Sequence, residues 1–490
     1  MIATKALRSR VVDLAIQGKL TEQLESDGTA EELYQQIQAE KQRLIKEGKI
    51  KKEKPLPEIK PEEVPFEIPR NWKLVRLSSI SKKITDGTHH SPVNTESGDF
   101  MYVTAKNIKE NGVDLSNITY VSKDVHEEII ARCNPELNDI FLIKDGATTG
   151  VVTVNNISEP FSLLSSVALI KPVVGMIDPW YIVYVLRSSL FYKSIRAQMT
   201  GTGITRIVLR QIEPFLVPLP PLAEQKRIVA RVEEIFRLLD TIDEAQKQYA
   251  MDVESLKAKL VTAGIQGKLT KQLDSDGTAE ELYQQIQAEK QRLIKEGKLK
   301  KEKPLPEISE DEIPFEIPEN WKWVRWGNLS ESIQYGYNAP AKESGRIKLV
   351  RITDIQNNSV QWQNVPFCDI EETAINDYLL QNGDILFART GGTVGKSFIV
   401  TNISEESVYA GYLIRTRYSS NLSGAYLKLF MESKLYWKQL QVGTTATAQP
   451  NCNGKTLSKM ILPLPPLAEQ KRIADKLDEV LEALDGKVNT

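Results

Sequence analysis

The longest regular pattern of apolar positions in the chain runs from Leu222 to Gly264. Its apolar residues follow one another at alternating steps of four and three, and only Gln246 interrupts the pattern. This spacing is typical of one long helix with a heptad seam, about 60 Å long at helical rise. Pro220 and Pro221 mark its start, and Gly264 is the expected end. The seam residues are Ile228, Val232, Ile235, Leu239, Ile242, Tyr249, Val253, Leu256 and Leu260.

An apolar stripe on a helix needs a partner, and the chain carries one in two pieces. The same spacing recurs near both ends of the chain, so we expect a second long helix that is split between the two termini. Its apolar residues are Ile473, Leu477, Val480 and Leu484 near the C-terminus, and Leu7, Val11 and Leu14 near the N-terminus.

An internal repeat divides the chain into two similar halves. The segment DGTAEELYQQIQAEKQRLIKEGK at 27–49 recurs without change at 276–298. Further along, PLPPLAEQKRI at 218–228 recurs at 463–473. Because whole blocks repeat in the same order, we expect each half to fold in nearly the same way.

Each repeated block predicts a helix followed by an extended connector. Thr29 and Glu32 have the spacing of a capping box, and Gly48 is a typical helix end. The connectors at 49–69 and 298–318 begin with several lysines and contain prolines. They are too polar for a core element, so we expect them to lie extended over a surface.

Two longer stretches, 76–217 and 326–462, differ between the halves, and we call them the first and second variable domains. Short apolar runs at 100–104, 140–143, 151–154 and 385–387 predict strands, and 180–190 and 425–437 predict helices. Each variable domain is therefore expected to be a mixed α/β (α+β) domain. The expected segments are 1–75, 76–217, 218–325 with the long helix at 222–264, 326–462, and a C-terminal helix at 463–490.

Some short segments of the two variable domains correspond closely. NDIFLIKDGATTG at 138–150 aligns with GDILFARTGGTVG at 383–395, and VTAKNI at 103–108 aligns with VRITDI at 350–355. The framework residues match while the polar residues change. This pattern indicates two copies of one fold that bind two different ligands.

Composition and charge restrict the class of protein. The chain has 490 residues and a formal net charge of −2, which argues against a generally basic nucleic-acid binder but allows local basic surfaces. Its three cysteines are far apart and predict neither a disulfide framework nor a zinc site. No secretory signal and no apolar run of membrane length are present. We therefore expect a cytoplasmic protein that makes no membrane contact.

The repeated motifs resemble those of one known family. PFEIPxxW elements at 65–72 and 314–321 precede the variable domains, and PLPPLAEQKRI follows each of them. With the EELYQQIQAEKQRLIKEGK block and the DGTHH and GDILFxRxG elements, the whole chain resembles the specificity subunit of a type I restriction-modification system.

The resemblance implies both an architecture and a function. The variable domains would be two target recognition domains in a pseudo-twofold arrangement, each reading one half of a bipartite, asymmetric DNA sequence. Long antiparallel coiled-coil helices would join and separate them. Two modification subunits that use S-adenosylmethionine and two restriction subunits that use ATP and Mg²⁺ would assemble on this chain. The chain itself would be non-catalytic and would hold no cofactor.

Two loops at corresponding positions are the first candidate DNA contacts. TDGTHHSP at 85–92 carries hydroxyls and imidazoles, and QYGYN at 334–338 carries aromatic and amide groups instead. Such groups hydrogen-bond to base edges, and Asn binds adenine with two hydrogen bonds. The alternative is an ordinary polar surface loop. The resemblance favours contacts by Thr88, His89, His90, Tyr335, Tyr337 and Asn338.

A second group of candidates follows strands of the variable domains. Lys144 and Asp145 align with Arg389 and Thr390, each before a Gly-rich turn that lets backbone approach a ligand. Arg389 fits guanine or phosphate, and Lys144 fits phosphate. A solvated strand end is an equally good explanation. The same alternatives hold for Lys106, Asn107, Arg351, Thr353 and Asp354.

The segments 201–206 and 443–453 are rich in Gly, Thr and Asn. They suit loops whose tips hydrogen-bond DNA, and Arg206 and Asn451 are the candidates there. Plain connectors are the alternative. Alternating charges from Glu224 to Arg237 indicate either a solvated helix flank or a docking surface for the modification subunits.

No catalytic motif accompanies these candidates. GGTVGKS at 391–397 resembles a phosphate-binding loop, but Thr390 stands where that motif requires Gly. The three histidines form no triad or metal-binding spacing. Two alternative functions remain, a coiled-coil adaptor whose variable domains bind proteins and a single-chain nuclease. Salt-sensitive, sequence-dependent DNA affinity distinguishes the DNA reader from the adaptor.

Overall fold

The computed structural model describes residues 2–52, 56–198, 206–356, 359–390, 393–444 and 452–489. The chain divides into two compact units, residues 2–246 and 247–490, which we call the N-terminal and C-terminal units. The long helix α7 (Leu222–Ile265) contributes residues to both of them.

In its described residues the N-terminal unit contains six further α-helices and eleven strands. The helices are α1 (Thr4–Ile16), α2 (Ala30–Lys46), α3 (Lys123–Arg132), α4 (Pro179–Arg187), α5 (Ser189–Gln198) and α6 (Leu209–Ile212). The strands are β1 (Lys73–Arg76), β2 (Ser81–Asp86), β3 (Phe100–Val103), β4 (Ile108–Lys109), β5 (Gly112–Val113), β6 (Thr119–Val121), β7 (Ile140–Ile143), β8 (Val152–Val154), β9 (Phe161–Leu163), β10 (Val167–Pro172) and β11 (Leu216–Leu219).

The first variable domain is built on two sheets. An antiparallel four-stranded sheet has the order β2-β10-β7-β8, and a three-stranded sheet has the order β6-β3-β9 with β3 and β9 parallel. Strands β4 and β5 form a hairpin. Strand β1 pairs with β11, so the chain enters and leaves the domain through one antiparallel ladder.

The four-stranded sheet is covered on both faces. Ile140 and Leu142 of β7 pack into the core shared with the helices, whereas Phe141 and Ile143 pack into the core shared with the three-stranded sheet. A strand buried on both sides needs apolar residues at every position. This explains why β7 reads as a continuous apolar run, and it confirms the strands predicted at 100–104, 140–143 and 151–154.

The C-terminal unit repeats this order of elements. Its helices are α8 (Ala279–Lys295), α9 (Trp326–Leu329), α10 (Glu372–Tyr378), α11 (Gly424–Glu432), α12 (Lys434–Thr444), α13 (Gly454–Lys459) and α14 (Leu467–Asn489). Its strands are β12 (Lys322–Arg325), β13 (Ser330–Tyr335), β14 (Ile347–Val350), β15 (Ile355–Gln356), β16 (Ser359–Val360), β17 (Phe367–Cys368), β18 (Ile385–Ala388), β19 (Ser397–Ile399), β20 (Ser407–Tyr409), β21 (Leu413–Tyr418) and β22 (Ile461–Leu464).

The second variable domain has the same sheet topology as the first. Its sheets have the orders β13-β21-β18-β19 and β17-β14-β20, and β15 and β16 form the hairpin. Strands β12 and β22 form the corresponding entry ladder. The predicted fold class, mixed α/β recognition domains combined with long helices, is confirmed.

The helix predicted in each repeated block is also confirmed. In α2 the Thr29 hydroxyl accepts a hydrogen bond from the Glu32 N–H, and the Glu32 carboxylate accepts one from the Thr29 N–H. The connector then lies against the helix and strand as expected. Arg76 of β1 donates to the Glu63 carboxylate at 3.0 Å and to the Pro57 carbonyl.

Each helix predicted within a variable domain is two helices in the structure. The expected helix at 180–190 breaks between α4 and α5 at Ser188, and the one at 425–437 breaks between α11 and α12 at Ser433. Both serines are buried, and each hydroxyl donates to a carbonyl of the first helix. Each hydroxyl also accepts an N–H from the second helix. Because serine satisfies these backbone groups locally, the chain turns where the apolar pattern continues.

The predicted seam is only partly buried. Helix α1 runs antiparallel to the first part of α7, with Thr4 bonded to Asp243 and Arg8 to Asp240. Leu7, however, is 44% exposed, and α1 buries Val12, Ala15 and Ile16 instead. The reason is that α1 packs against α4 as well as α7, so its buried face differs from a two-helix seam.

In the C-terminal unit, Val261 of α7 packs with Ile473 and Leu477 of α14. Tyr249 and Leu256 were predicted in the seam but are 43% and 42% exposed. The helix ends at Ile265, one residue beyond the expected glycine.

Candidate nucleic-acid interface

Backbone hydrogen bonds bring the candidate segments of the first variable domain together. The loop after β2 is held by the Thr88 N–H, which donates to the Leu163 carbonyl at 2.9 Å. The turn after β7 is held by the Lys144 N–H, which donates to the Ser166 carbonyl at 2.9 Å. The Lys144 carbonyl accepts from the Ile207 N–H, so the segment before α6 joins the same edge.

The second variable domain uses the corresponding bonds. Tyr337 N–H donates to the Tyr409 carbonyl, and Arg389 N–H donates to the Tyr412 carbonyl at 2.9 Å. The Arg389 carbonyl accepts from the Cys452 N–H. Different polar side chains are therefore presented from equivalent backbone positions in the two domains.

A glycine makes the close approach of the first loop possible in each domain. A Cβ atom on Gly87 would lie 1.7 Å from the Leu163 carbonyl oxygen, and one on Gly336 would lie 2.2 Å from the Ala410 oxygen. Both contacts are with backbone atoms, which shift less readily than the end of a flexible side chain. Only glycine therefore fits between Asp86 and Thr88, and between Tyr335 and Tyr337.

In the first variable domain these segments form a charged cluster. The buried Asp86 carboxylate lies 2.6 Å from Nη2 of Arg132 and 3.2 Å from Nε2 of His89. Asp145 lies 3.2 Å from Nζ of Lys144 and 2.9 Å from Nε of Arg206. Opposite charges alternate across the cluster.

Lys144 occupies the centre of this cluster. Its side chain is only 2% exposed, and its Nζ lies 3.5 Å from Asp86 as well as near Asp145. A cation that is buried between two carboxylates is not presented to a ligand. Its position therefore fits a role in holding the cluster better than the expected phosphate contact.

The second variable domain has an aromatic cluster at the same place. The Arg389 guanidinium lies 4.8 Å from the ring centroid of Tyr335, and the Tyr335 hydroxyl accepts a hydrogen bond from the Gly454 N–H at 3.0 Å. Among the described residues, no carboxylate forms an ion pair with Arg389. Tyr412, next to it, is 64% exposed. Arg389 is therefore held by stacking, and no carboxylate in the described part of the chain neutralises its charge.

The remaining candidates divide by exposure. Lys106, His90 and Thr353 are exposed, whereas Asn107 is buried and its amide bonds to Thr104 and to the Asp114 carbonyl. Asn107 thus fits a role in holding its loop.

Arg351 is held by the Asp354 carboxylate at 2.8 Å, and this hydrogen bond raises the pKa of Arg351 above its usual value. Thr390 is partly buried, whereas Asn338 is exposed. Asn451 and residues 201–205 lie outside the described part of the chain.

Two residues of these clusters were missed by sequence reasoning. Arg132 lies at the end of α3, far along the chain from Asp86, and no local pattern places the two together. Tyr412 follows a buried strand and is unremarkable in sequence. Ser166 occupies the equivalent position in the first variable domain, and this change from a small to a large side chain was the available sign that the position differs in role.

The repeated LAEQKR motif also has a role that the sequence did not reveal. The charges from Glu224 to Arg237 were expected on a solvated flank or on a docking surface, but Glu224 is fully buried and accepts a hydrogen bond from Nε1 of Trp72 at 2.8 Å. Glu469 receives the same bond from Trp321 at 2.8 Å. The motif tethers the helix to the PFEIPxxW element, so the solvated-flank interpretation is wrong for this glutamate.

Two kinds of feature are absent from the described residues. No group of three or more His, Cys, Asp or Glu side chains there has the arrangement of a metal site. Nor is any helix in that part of the chain both long and apolar enough to cross a membrane.

Comparison with known proteins identifies the family. The family model described as "Type I restriction modification DNA specificity domain" matches residues 69–249 and 318–489. The chain is 29% identical to the EcoAI specificity subunit of Escherichia coli, over 98% of this chain and 89% of the relative. It is 26% identical to the E. coli EcoEI specificity subunit, with the same coverage.

Solved structures share the fold. A chain from a structure of type I R-M complex assembly aligns with a TM-score of 0.59 and 17% identity, covering 87% of this chain and 94% of that one. The HsdS subunit from Thermoanaerobacter tengcongensis aligns with a TM-score of 0.50 and 17% identity, covering 86% and 92%. With two copies of the family domain, each containing one variable domain, the chain belongs to the family of type I restriction-modification specificity subunits.

Proposed function

We propose that each variable domain binds one half of a bipartite, asymmetric target in duplex DNA, and that the long helices set the gap between the halves. The observation that carries the proposal is the contrast between the two clusters. The first presents charged groups around Asp86, and the second presents Arg389 with exposed tyrosines from the same backbone positions. Different side chains at equivalent positions distinguish different bases.

The net charge of −2 supports reading by localised contacts rather than by a general positive field. Arg389 in the second domain and Arg132 and His89 in the first supply local positive or hydrogen-bonding groups. Phosphate contacts at the edges of these clusters would give affinity, and base contacts would give specificity.

The partners we propose are two modification subunits and two restriction subunits. The outer faces of α2 and α8 support a repeated partner, because their exposed residues are identical although the fold does not require it. These are Gln35, Gln36, Gln42, Arg43 and Lys46 in α2, and Gln284, Gln285, Gln291, Arg292 and Lys295 in α8. S-adenosylmethionine, ATP and Mg²⁺ would bind those partners, and this chain would act as a non-catalytic scaffold in the cytoplasm, where the DNA is.

Methylation mapping tests the proposal. Cells expressing this chain with its modification subunit are compared with cells expressing the modification subunit alone. We expect modified adenine in a two-part motif with a fixed gap, only when this chain is present. Absence of such a motif, with the complex confirmed by co-purification, would favour an adaptor that binds proteins. A variant with one heptad inserted in α7 should retain both half-motifs and change the gap.

A further inference from the structure

Arg132 is an exposed cation fixed on a buried anion. Its side chain is 53% exposed, whereas that of its partner Asp86 is 4% exposed. Nη2 of Arg132 donates to Oδ1 of Asp86 at 2.6 Å and lies 2.9 Å from Nε2 of His89. Among the described residues, none accepts a hydrogen bond from Nε or Nη1 of Arg132. Part of the guanidinium is therefore free to bind a ligand.

Counting charges shows that Arg132 is not needed to neutralise the cluster. Asp86 and Asp145 are its two carboxylates, and Lys144 and Arg206 already supply two cations within 3.5 Å of them. Arg132 is the additional positive charge, and it lies on the exposed side. A structural ion pair alone would not require it there.

The backbone around Arg132 is also held in place. The Arg132 carbonyl accepts a hydrogen bond from Nζ of Lys83 at 2.5 Å, and Cys133, the next residue, is fully buried. A side chain that is fixed at both its backbone and its guanidinium loses little conformational entropy on binding. This is the arrangement expected of a side chain that recognises a ligand with defined geometry.

The second variable domain shows that this arrangement is not a requirement of the fold. The last residue of the corresponding helix α10 is Tyr378, whose ring lies 5.2 Å from that of Tyr337. Asp86 is replaced by Tyr335 and the pair of charges is absent. The common framework therefore does not require this ion pair, and we infer that it serves ligand binding in the first domain.

We propose that Arg132 is a specificity-determining residue that reads guanine in the half-site bound by the first variable domain, with Asp86 as its positioning residue. The inference rests on the proposed function. Nη1 of Arg132, which Asp86 and His89 leave free, can donate to the O6 or N7 acceptor of guanine, the base that arginine contacts most often in the major groove. Asp86 orients the guanidinium without contacting the base.

The test uses the complex of this chain with its modification subunit. After methylation mapping has given the wild-type motif, binding is measured on duplexes in which each base pair of the first half-site is replaced in turn. The variants are R132A, R132K and D86N. K123A is the matched control, because Lys123 lies on the same helix and forms an exposed ion pair with Glu127.

We expect R132A and R132K to lose discrimination at the same G·C pair by about 5- to 150-fold. D86N should weaken discrimination at that pair and at no other. K123A should bind as the wild type does, and discrimination in the second half-site should be unchanged in every variant.

Three results would overturn the inference. R132A could keep full discrimination at every position, or weaken binding equally on all duplexes, as a phosphate contact does. If R132A does not assemble, R132K decides, because it keeps the charge beside Asp86. An R132K complex that retains wild-type discrimination also overturns the inference. A wild-type complex without sequence-dependent binding would instead refute the proposed function.

Discussion

Replacing Glu224 by alanine should destabilise the N-terminal unit selectively. Oε2 of Glu224 accepts the indole N–H of the buried Trp72 at 2.8 Å, and Oε1 accepts from Thr21 and Gln23. A hydrogen bond from a buried donor to a charged group contributes about 1.5–3 kcal/mol. Thr21 and Gln23 are at least partly exposed and can bond to water instead, so they add little. The removed side chain also leaves a space in the core. In sum, we expect the free energy of unfolding of the N-terminal unit to fall by about 2–4 kcal/mol.

The loss is measurable as a melting shift. For units of this size, 1 kcal/mol corresponds to about 2–4 °C, so the E224A transition should fall by roughly 5–15 °C. Hydrogen exchange should increase in α1 and α2 and stay unchanged in α8 and α14. E469A should produce the mirror result, because Trp321 donates to Glu469 in the same way. E233A, on an exposed position of α7, is the control. If E224A melts within about 2 °C of the wild type, the bond contributes little and the reasoning is wrong.

Three further predictions concern single positions. T29A removes one capping box and should cost about 1 kcal/mol in chemical denaturation, with T278A giving an equal loss in the other unit; an effect in only one unit would contradict the equivalence of the repeats. G336A places a Cβ 2.2 Å from the Ala410 oxygen, so we expect loss of recognition at the second half-site alone in a binding assay, whereas unchanged binding would show that the loop can shift. Burial lowers the pKa of His126, so the unfolded state takes up a proton on this residue first as the pH falls. The stability of the N-terminal unit should therefore decrease below about pH 6.5. H126N should make the melting temperature less dependent on pH in this range.

The sequence predicted the architecture because repeated blocks carry strong local signals. The capping box at Thr29, the apolar run of β7 and the prolines before α7 each specify an element through nearby residues. The helix breaks at Ser188 and Ser433 were missed, since serine interrupts the chain there only through hydrogen bonds that form in the buried state.

The candidate site was predicted less completely. Loops next to strand ends could be recognised from turn residues and from alignment of the halves, and the structure does bring those loops together. The burial of Lys144 and the pairing of Arg132 with Asp86 depend on contacts between distant segments. Local pattern carries no information on such contacts, so exposed and buried cations looked alike.

Strand β1 pairs with β11, so the two ends of the first variable domain lie side by side. Strands β12 and β22 hold the ends of the second variable domain in the same way. Lys73 pairs with Leu219 and Arg76 with Leu216, and β12 and β22 repeat this register from Lys322 and Leu464 to Arg325 and Ile461. The spacing between corresponding residues falls from 249 at Lys73 to 245 at Leu219, so the first insertion is four residues longer, yet both ladders are the same. Loops inside an insertion can lengthen, shorten or be exchanged while its two ends stay side by side. New binding surfaces can therefore arise in one half of the protein without rebuilding the helices that carry it.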